Sequence, residues 1–329
     1  MHLRKMFYLF LIIPILFLNV ACSEDDDPAD PINEAQVLAE YLETTNFVTS
    51  VAPAMVGADV VEANRLDPNY NQYVIDIRTA TDFAKGRIPG AVNVAFSDIV
   101  SHYETNNLAT KDLVVIACYS GQTAGYATGI LRLLGYANVK DLKWGMSSWH
   151  VDFAKWQTGK GNNYTAFVTD VTAKAAAGNL PKLETGKKTG ADILKERVTT
   201  ILADGFSPAA TQTWSTVTAN PSNYYIVNYW SADHYALGHI PGAIQYTPGA
   251  TSDLTLATAL KTLPTDKEIV VYCYTGQTSA HIAVYLRLLG YNAKSLLYGV
   301  NAMNYDWMVA NGLTAFKDSY VMGYDYEKP

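Results

Sequence analysis

Two stretches of the chain carry the same order of apolar and polar positions. In each, a run rich in β-branched residues, Leu113–Ala117 or 268–272, ends at a cysteine and is followed by a short loop that contains glycine. Apolar residues at helical spacing then occupy 123–134 and 278–289. Short apolar runs predict buried strands, and the helical spacing predicts helices. The pattern therefore predicts one strand–loop–helix unit that occurs twice.

Other segments of each copy continue the alternation. Strands are predicted at 73–77 and Val139–Leu142 in the first copy and at 225–229 and 294–297 in the second. The segment 164–168, between the copies, is predicted to add an edge strand. Strands that alternate with helices favour an α/β domain with a mainly parallel sheet.

A duplication explains this order. The turn 86–92 (Gly-Arg-Ile-Pro-Gly-Ala-Val) recurs at 238–244 (Gly-His-Ile-Pro-Gly-Ala-Ile), and Leu-Arg-Leu-Leu-Gly-Tyr occurs at 131–136 and 286–291. One long period present twice indicates tandem domains and not a solenoid. A chain of 329 residues with 49% hydrophobic residues is sufficient for two cores. We predict domains at 33–158 and 191–329, joined by a linker at 159–190.

The first residues indicate export. Arg4 and Lys5 precede an apolar stretch, and Cys22 follows small or apolar residues. We predict a bacterial lipoprotein signal peptide over 1–21, a lipidated Cys22 that anchors the protein in a membrane of the cell envelope, and an acidic tether over 22–32. Because Asn19 stands where that motif prefers Leu, an ordinary secretory signal or an N-terminal membrane anchor is the alternative. The tether resembles a surface-export signal, or is a solvated spacer.

Charge and histidine spacing exclude other classes. The net charge is −7 and no basic stripe is present, which argues against a nucleic-acid partner. The histidines lack ligand spacing, so we expect no metal site and no cofactor. We expect no disulfide between Cys118 and Cys273, because they occupy equivalent loops of separate domains.

The loop after each cysteine is a candidate thiol site. A loop between a parallel strand and a helix start is the usual ligand position in such sheets, and the helix dipole there favours an anion. The thiols of Cys118 and Cys273 are therefore expected to have a lowered pKa and to be reactive. The alternative is that both are small buried apolar residues at a strand end. We expect the loop glycines to curl the backbone, and the loop threonines to donate hydrogen bonds or cap the helix: Gly121, Gly276, Thr123 and Thr278.

With these motifs the chain resembles the tandem rhodanese family of two-domain sulfurtransferases. The stretches 76–78 (Asp-Ile-Arg), 82–83 (Asp-Phe) and 86–91 resemble its signature, and 118–123 and 273–278 resemble its persulfide-carrying loop. The resemblance implies two tandem rhodanese-like α/β domains, each a mainly parallel central sheet flanked by helices. It implies Cys118 and Cys273 as catalytic residues, the loop residues as substrate-binding, and three supporting residues: Tyr119, Ser120, Gly121, Gln122, Thr123, Tyr274, Thr275, Gly276, Gln277 and Thr278, with Asp76, Arg78 and Arg87.

Two departures from the family pattern matter. The thiosulfate-using loops of the family carry Arg or Lys, whereas these loops have Tyr119 and Tyr274 and no cation. Anion binding is then expected to rest on backbone amides, the threonines and neighbours such as Arg78 or Arg87. The second copy also lacks the Asp and Arg of the signature and has Asn228, Trp230 and His234 at the positions of Asp76, Arg78 and Asp82. The sequence does not rank the two cysteines.

The leading hypothesis is a sulfurtransferase. A cysteine takes sulfur from a small sulfur-containing anion, holds it as a persulfide and passes it to a thiol or cyanide acceptor. A phosphatase would require an arginine where Ala124 or Ser279 stands. A non-catalytic binding or sulfide-sensing module at the cell envelope is the remaining alternative, because a fold alone does not fix a function.

Overall fold

The computed structural model describes residues 32–328, which contain two five-stranded parallel sheets flanked by helices. The first sheet has the order β1-β5-β4-β2-β3 and the second β6-β10-β9-β7-β8. Every pair of neighbouring strands is parallel. The strands are β1 Met55–Val56, β2 Gln72–Asp76, β3 Val92–Asn93, β4 Leu113–Ala117, β5 Val139–Leu142, β6 Thr211–Gln212, β7 Tyr225–Asn228, β8 Ile244–Gln245, β9 Ile269–Tyr272 and β10 Ala293–Leu296.

The helices alternate with these strands along the chain. They are α1 Glu34–Glu43, α2 Ala58–Leu66, α3 Ala80–Lys85, α4 Ile99–Thr105, α5 Gln122–Leu133, α6 Met146–Trp149, α7 Trp156–Gly159, α8 Gly190–Asp204, α9 Trp214–Ala219, α10 Ala232–Leu237, α11 Gln277–Leu288 and α12 Tyr305–Ala310. Within residues 32–328 no helix is long and apolar enough to cross a membrane.

The predicted α/β fold with two parallel sheets is confirmed. The edge strand expected at 164–168 is wrong, since only an isolated antiparallel bridge joins Val168 to His239. The aromatic side chains of Tyr164 and Phe167 pack against the core of the second repeat. The segment therefore covers this core and does not extend a sheet. The predicted signal peptide, Cys22 and the tether up to residue 31 lie outside the described residues, and the predicted domain limits stay a prediction.

Helices α5 and α11, which begin at the two cysteine loops, pack against each other. Both are buried on nearly every side, because each lies between its own sheet and the helix of the other repeat. Glycines allow the close approach: a Cβ at Gly125 would lie 3.1 Å from His281, and a Cβ at Gly129 would lie 2.5 Å from Val284. Both sheets belong to one compact unit that begins at Asn33, and this helix pair brings the two cysteine loops to the junction of the repeats.

The C-terminal segment returns to the first repeat. The N–H group of Met322 donates to the carbonyl oxygen of Ser148 at 2.9 Å, and that of Tyr324 donates to the carbonyl oxygen of Trp149 at 3.1 Å. Glu327 forms a backbone bridge with Arg87. The end of the chain is thus part of the wall of the first repeat.

Candidate active site

Each cysteine follows the middle strand of its sheet. Cys118 comes directly after β4 and Cys273 directly after β9, where the strand's carboxyl end meets the start of α5 or α11. The residues before these helices, Gly121 and Gly276, have φ values of 86° and 78°. This left-handed conformation suits glycine, and it turns the loop so that its N–H groups face the sulfur.

The same pair of backbone amides contacts each sulfur. The N–H groups of Gly121 and Ala124 lie 3.2 and 3.3 Å from Cys118 Sγ. Those of Gly276 and Ser279 lie 3.2 and 3.4 Å from Cys273 Sγ. The positive end of a helix dipole therefore faces each sulfur, an arrangement that favours a negative charge there.

Both thiols are nevertheless buried. The exposed fraction is 2% for Cys118 and 1% for Cys273, and both are free cysteines. Burial raises the pKa of Cys118 above the ordinary thiol value, and the Asp141 carboxylate acts in the same direction. The expectation of a lowered pKa is therefore wrong for Cys118, because loss of hydration outweighs the N–H donors of the loop.

The tyrosines that follow the cysteines bind within their own repeats. Tyr119 Oη donates to Asp82 Oδ2 at 2.5 Å. Lys85 and then this contact hold the pKa of Asp82 well below its usual range. Tyr274 stacks on Trp230 with 4.8 Å between ring centroids. Its Oη lies 2.5 Å from Nδ1 of His234.

The predicted arginines are engaged elsewhere. Arg78 is buried, with Nη2 2.6 Å from Asp76 Oδ2 and 2.7 Å from the carbonyl oxygen of Gly86. Arg87 lies 3.5 Å from the carboxylate of Glu327. In the structure Arg78 fixes the turn after β2 and Arg87 holds the C-terminal segment, and the binding of a substrate anion by these arginines stays a prediction.

The two loop glutamines cross to the opposite repeat. Gln122 Oε1 accepts the N–H of Tyr298 at 2.7 Å, and Gln277 Oε1 accepts the N–H of Trp144 at 3.0 Å. Their amides hold the segments 144–146 and 298–300, which cover the two loops through bonds to the carbonyl oxygens of Cys118 and Cys273. The substrate-binding role of these side chains stays a prediction.

The remaining loop hydroxyls have local partners. Ser120 Oγ accepts from Nε2 of Gln122 at 3.0 Å, and Thr275 Oγ1 accepts from the N–H of Gln277 at 3.2 Å. Thr123 and Thr278 lie half-buried in the first turns of α5 and α11. The helix caps are glycines with no side-chain hydrogen bond, so the proposed capping role of these threonines is wrong.

Sequence reasoning missed the polar residues that surround the thiols. Asp141 and His281 form a fully buried pair with 3.1 Å between Oδ1 and Nε2. Ser279 and Ser295 lie beside Cys273, also fully buried. Asp141 and Ser295 both occupy the third position of the last strand of their repeats. An alignment of the two repeats therefore places a polar residue at the same position of a buried strand in each copy.

A cavity of about 400 Å³ adjoins the first loop. The positively charged side chains that line this cavity do not belong to the cysteine loop. One of them, Lys155, places Nζ 5.7 Å from the ring centroid of Tyr119. Cys118 does not line this cavity. The lining residues include Arg78, Asp82, Lys85, Tyr119, Asp152, Lys155, Tyr326 and Lys328. Among residues 32–328 no group of three His, Cys, Asp or Glu side chains forms a metal centre.

The comparisons with known proteins agree with the fold. The model of the rhodanese-like domain matches residues 58–152 and 219–305, which together make up more than half of the chain. The chain belongs to the rhodanese-like family. The two matched ranges contain both cysteine loops, so each repeat of this rhodanese-like protein is one family domain.

Three curated relatives match a single stretch of the chain. The adenylyltransferase and sulfurtransferase UBA4 of Meyerozyma guilliermondii is 31% identical over 25% of this chain and 21% of its own length. The putative sulfur carrier protein YrkF of Bacillus subtilis is 23% identical over 35% of this chain and 63% of its own length. The uncharacterized protein YibN of Escherichia coli K12 is 33% identical over 27% and 62%. The chain thus spans less than two thirds of each relative.

Solved structures are similar at lower identity. The thiosulfate sulfurtransferase of Pseudomonas aeruginosa is 18% identical, with a TM-score of 0.26 over 86% of this chain and 69% of that chain. A rhodanese-related protein of Thermoplasma volcanium is 22% identical, with a TM-score of 0.26 over 29% of this chain and 88% of that chain.

Proposed function

We propose that this rhodanese-like protein is a sulfurtransferase that carries sulfur as a cysteine persulfide. The donor is a small sulfur compound such as thiosulfate, 3-mercaptopyruvate or polysulfide, and the acceptor is a thiol or cyanide. The observation that carries this proposal is the pair of thiols, each held by two amides at the start of a 12-residue helix. Family membership and the sulfur chemistry in the names of two relatives support it.

The proposed reaction has two steps. The cysteine first loses its proton, and its thiolate attacks the outer sulfur of thiosulfate. The new S–S bond forms as the old one breaks, and the bonding pair leaves with sulfite. Cyanide or an acceptor thiolate then attacks the outer sulfur of the persulfide, the S–S pair returns to Sγ, and thiocyanate or the acceptor persulfide departs.

The loop amides stabilise the negative charge on sulfur during the reaction. Negative charge is present on sulfur before, between and after the two steps. The N–H groups of Gly121 and Ala124 in one repeat, and of Gly276 and Ser279 in the other, already face the sulfur, so little reorganisation is required during the reaction.

Access to the sulfur requires movement of its cover. With exposed fractions of 2% and 1%, neither thiol meets a donor until neighbouring residues shift. The segments 144–146 and 298–300 are the candidates for this movement, because their backbone N–H groups donate to the carbonyl oxygens of the two cysteines. A gate of this kind would also keep water from a bound persulfide.

The test is turnover. We expect thiocyanate to form from at least one of the three donors and cyanide, and to be lost in the double variant Cys118→Ser/Cys273→Ser. Turnover that survives in the double variant, or absent turnover with all three donors, would contradict the proposal. Unchanged thermal unfolding of the double variant serves as the folding control.

A non-catalytic sensing or binding module is the second candidate. The burial of both thiols and the raised pKa of Cys118 favour it, because a buried protonated thiol is a poor nucleophile. Alkylation of the cysteines without any persulfide from the three donors would select this candidate.

We also propose that the protein is a lipoprotein of the bacterial cell envelope, anchored through Cys22. The charged start, the apolar stretch and the position of Cys22 support this proposal. Cys22→Ala is expected to release the chain from the membrane fraction. A mature wild-type N-terminus without a diacylglycerol group would contradict it.

A further inference from the structure

The two cysteine sites differ directly beside the sulfur. Ser279 occupies the position in α11 that Ala124 occupies in α5, since both are the third residue of their helices. Ser295 in β10 corresponds to Asp141 in β5, because Ser295 pairs with Thr211 of β6 as Asp141 pairs with Met55 of β1. The second repeat thus has two hydroxyls where the first has a methyl group and a carboxyl group.

The hydroxyls form a chain that starts at Cys273. Ser279 Oγ lies 3.6 Å from Cys273 Sγ and 2.8 Å from Ser295 Oγ. Ser295 Oγ donates in turn to the carbonyl oxygen of Gly276 at 3.2 Å. Cys273, Ser279 and Ser295 are each at most 1% exposed, so this chain is closed to water.

This chain of hydroxyls can hydrogen-bond to Cys273 both as a thiol and as a thiolate, and no sulfur or oxygen atom has to move between the two states. As a thiol, Cys273 donates to Ser279, which donates to Ser295. As a thiolate, Cys273 accepts from Ser279 after that hydroxyl rotates, while Ser295 keeps a carbonyl acceptor. Because a hydroxyl both donates and accepts, the same three atoms serve either state. Hydrogen bonds to a charged group are the stronger kind.

The first repeat offers the opposite environment. Ala124 has no donor beyond its backbone N–H, and Asp141 is a buried acid held by Nε2 of Gln277 at 3.2 Å and by His281. Burial is the main cause of the raised pKa of Cys118, and Asp141 adds to it. Cys118 therefore lacks the hydroxyl donor that Cys273 has in Ser279.

We propose that Ser279 is a catalytic residue whose hydroxyl stabilises the negative charge on the sulfur of Cys273 during transfer, and that Ser295 is a positioning residue for that hydroxyl. This inference rests on the proposed sulfurtransferase function. The thiolate of Cys273 attacks the outer sulfur of thiosulfate, sulfite leaves with the bonding pair, and Ser279 donates to sulfur throughout.

The experiment locates the persulfide in the full-length chain. Wild type, Cys118→Ser and Cys273→Ser are incubated with thiosulfate, 3-mercaptopyruvate or polysulfide, and the sulfur is located by peptide mass spectrometry. We expect the added sulfur on Cys273 in wild type and in Cys118→Ser, and none in Cys273→Ser. Cyanide should remove it.

A matched set of variants tests the hydroxyls. Ser279→Ala copies Ala124 of the first repeat, and we expect it to lower kcat about tenfold with little change in the KM for the donor, because the lost bond is to a charged sulfur. Ser295→Ala should have a smaller effect in the same direction. If the hydroxyls had only a structural role, the variants would have a lower thermal unfolding midpoint, and kcat would not fall selectively while the KM for the donor stays unchanged.

A gain-of-function variant keeps the proposal testable if the alanine variants fold poorly. Ala124→Ser with Asp141→Ser copies the second site into the first, and we expect persulfide to appear on Cys118 in this variant. Sulfur on Cys118 alone in wild type, or unchanged kcat in Ser279→Ala, would overturn this inference and leave the sulfurtransferase proposal in place. No sulfur on either cysteine from any donor would refute both.

Discussion

The buried pair of Asp76 and Arg78 shows how single residues make the repeats differ. In the first repeat the two side chains are at most 2% exposed and join β2 to the turn that contains Gly86. In the second repeat Asn228 Nδ2 donates to Tyr272 Oη at 2.7 Å, and Trp230 stacks on Tyr274. Neutral hydrogen bonding and aromatic packing thus replace a charged pair in the same place.

Asp76→Asn is expected to destabilise the first repeat. It leaves the guanidinium of Arg78 buried without its carboxylate, a loss of about 3–5 kcal/mol in the free energy of unfolding. Urea denaturation measures it. Glu184→Gln is the control, because Glu184 and its partner Lys182 are 72% and 84% exposed and such pairs contribute about 1 kcal/mol or less. Equal losses in the two variants would refute a structural role for the buried pair.

The ionisation of Cys118 gives a pH prediction. Since its folded-state pKa is raised, the thiol stays protonated at a pH where free cysteine has ionised. Alkylation of Cys118 should therefore begin at higher pH in the folded protein than in the denatured chain. The same shift makes Cys118 a source of stability below the usual thiol pKa that is lost as the pH rises. Asp141→Asn should move the alkylation curve to lower pH, and an unmoved curve would contradict the role given to Asp141.

Sequence reasoning located the thiols and missed their surroundings for a physical reason. The Cys-Tyr-Ser/Thr-Gly-Gln-Thr pattern is local, so both loops were found. The expected effect of the helix start on Cys118 is reversed by burial, which depends on side chains from distant parts of the first repeat. Asp141 and His281 lie in different repeats, and only the packed structure brings their side chains together.

The elements that decide the architecture are α5 and α11. Their apolar periodicity and the strands before them could be read from the sequence, because both are local patterns. Their mutual packing could not, since it depends on Gly125 and Gly129, which look like weak helix residues until a neighbouring helix covers them. The segment 164–168 was assigned a strand by its β-branched and aromatic residues, which serve the core instead.

The crossed glutamines predict a crossed effect on the thiols. Gln277→Ala removes the acceptor for Trp144, so the cover over Cys118 should loosen and alkylation of Cys118 should become faster. Gln122→Ala should do the same for Cys273 through Tyr298. Each variant leaves a buried N–H group without its partner, at a cost of about 1–3 kcal/mol. Site-resolved alkylation rates measure it, and an increase confined to the cysteine of the mutated repeat would contradict the crossed arrangement.

At the scale of the whole molecule, the two family domains share part of their cores. Residues of α1, α5, α8 and α11 belong to one hydrophobic cluster that joins the repeats, and each repeat also has an apolar cluster of its own. The duplication could be read from the sequence, because its motifs recur in order. The shared core and the returning C-terminal segment could not, because neither leaves a periodic signal.

The C-terminal segment is expected to stabilise the first repeat. A chain that ends at residue 320 loses the bonds to Ser148, Trp149 and Arg87 and the wall that Tyr326 gives to the cavity. We expect a lower thermal unfolding midpoint and earlier hydrogen exchange in the first repeat. A chain that ends at residue 327 is the control, and equal midpoints for the two truncations would contradict this role.

The most direct measurement is the intact mass of the protein after incubation with each sulfur donor and removal of the excess. A sulfurtransferase of this design should gain the mass of one sulfur atom, lose it to cyanide with formation of thiocyanate, and gain nothing as Cys118→Ser/Cys273→Ser. An unchanged mass with thiosulfate, 3-mercaptopyruvate and polysulfide, in a protein whose cysteines still react with an alkylating agent, would contradict sulfur transfer and leave the sensing or binding module.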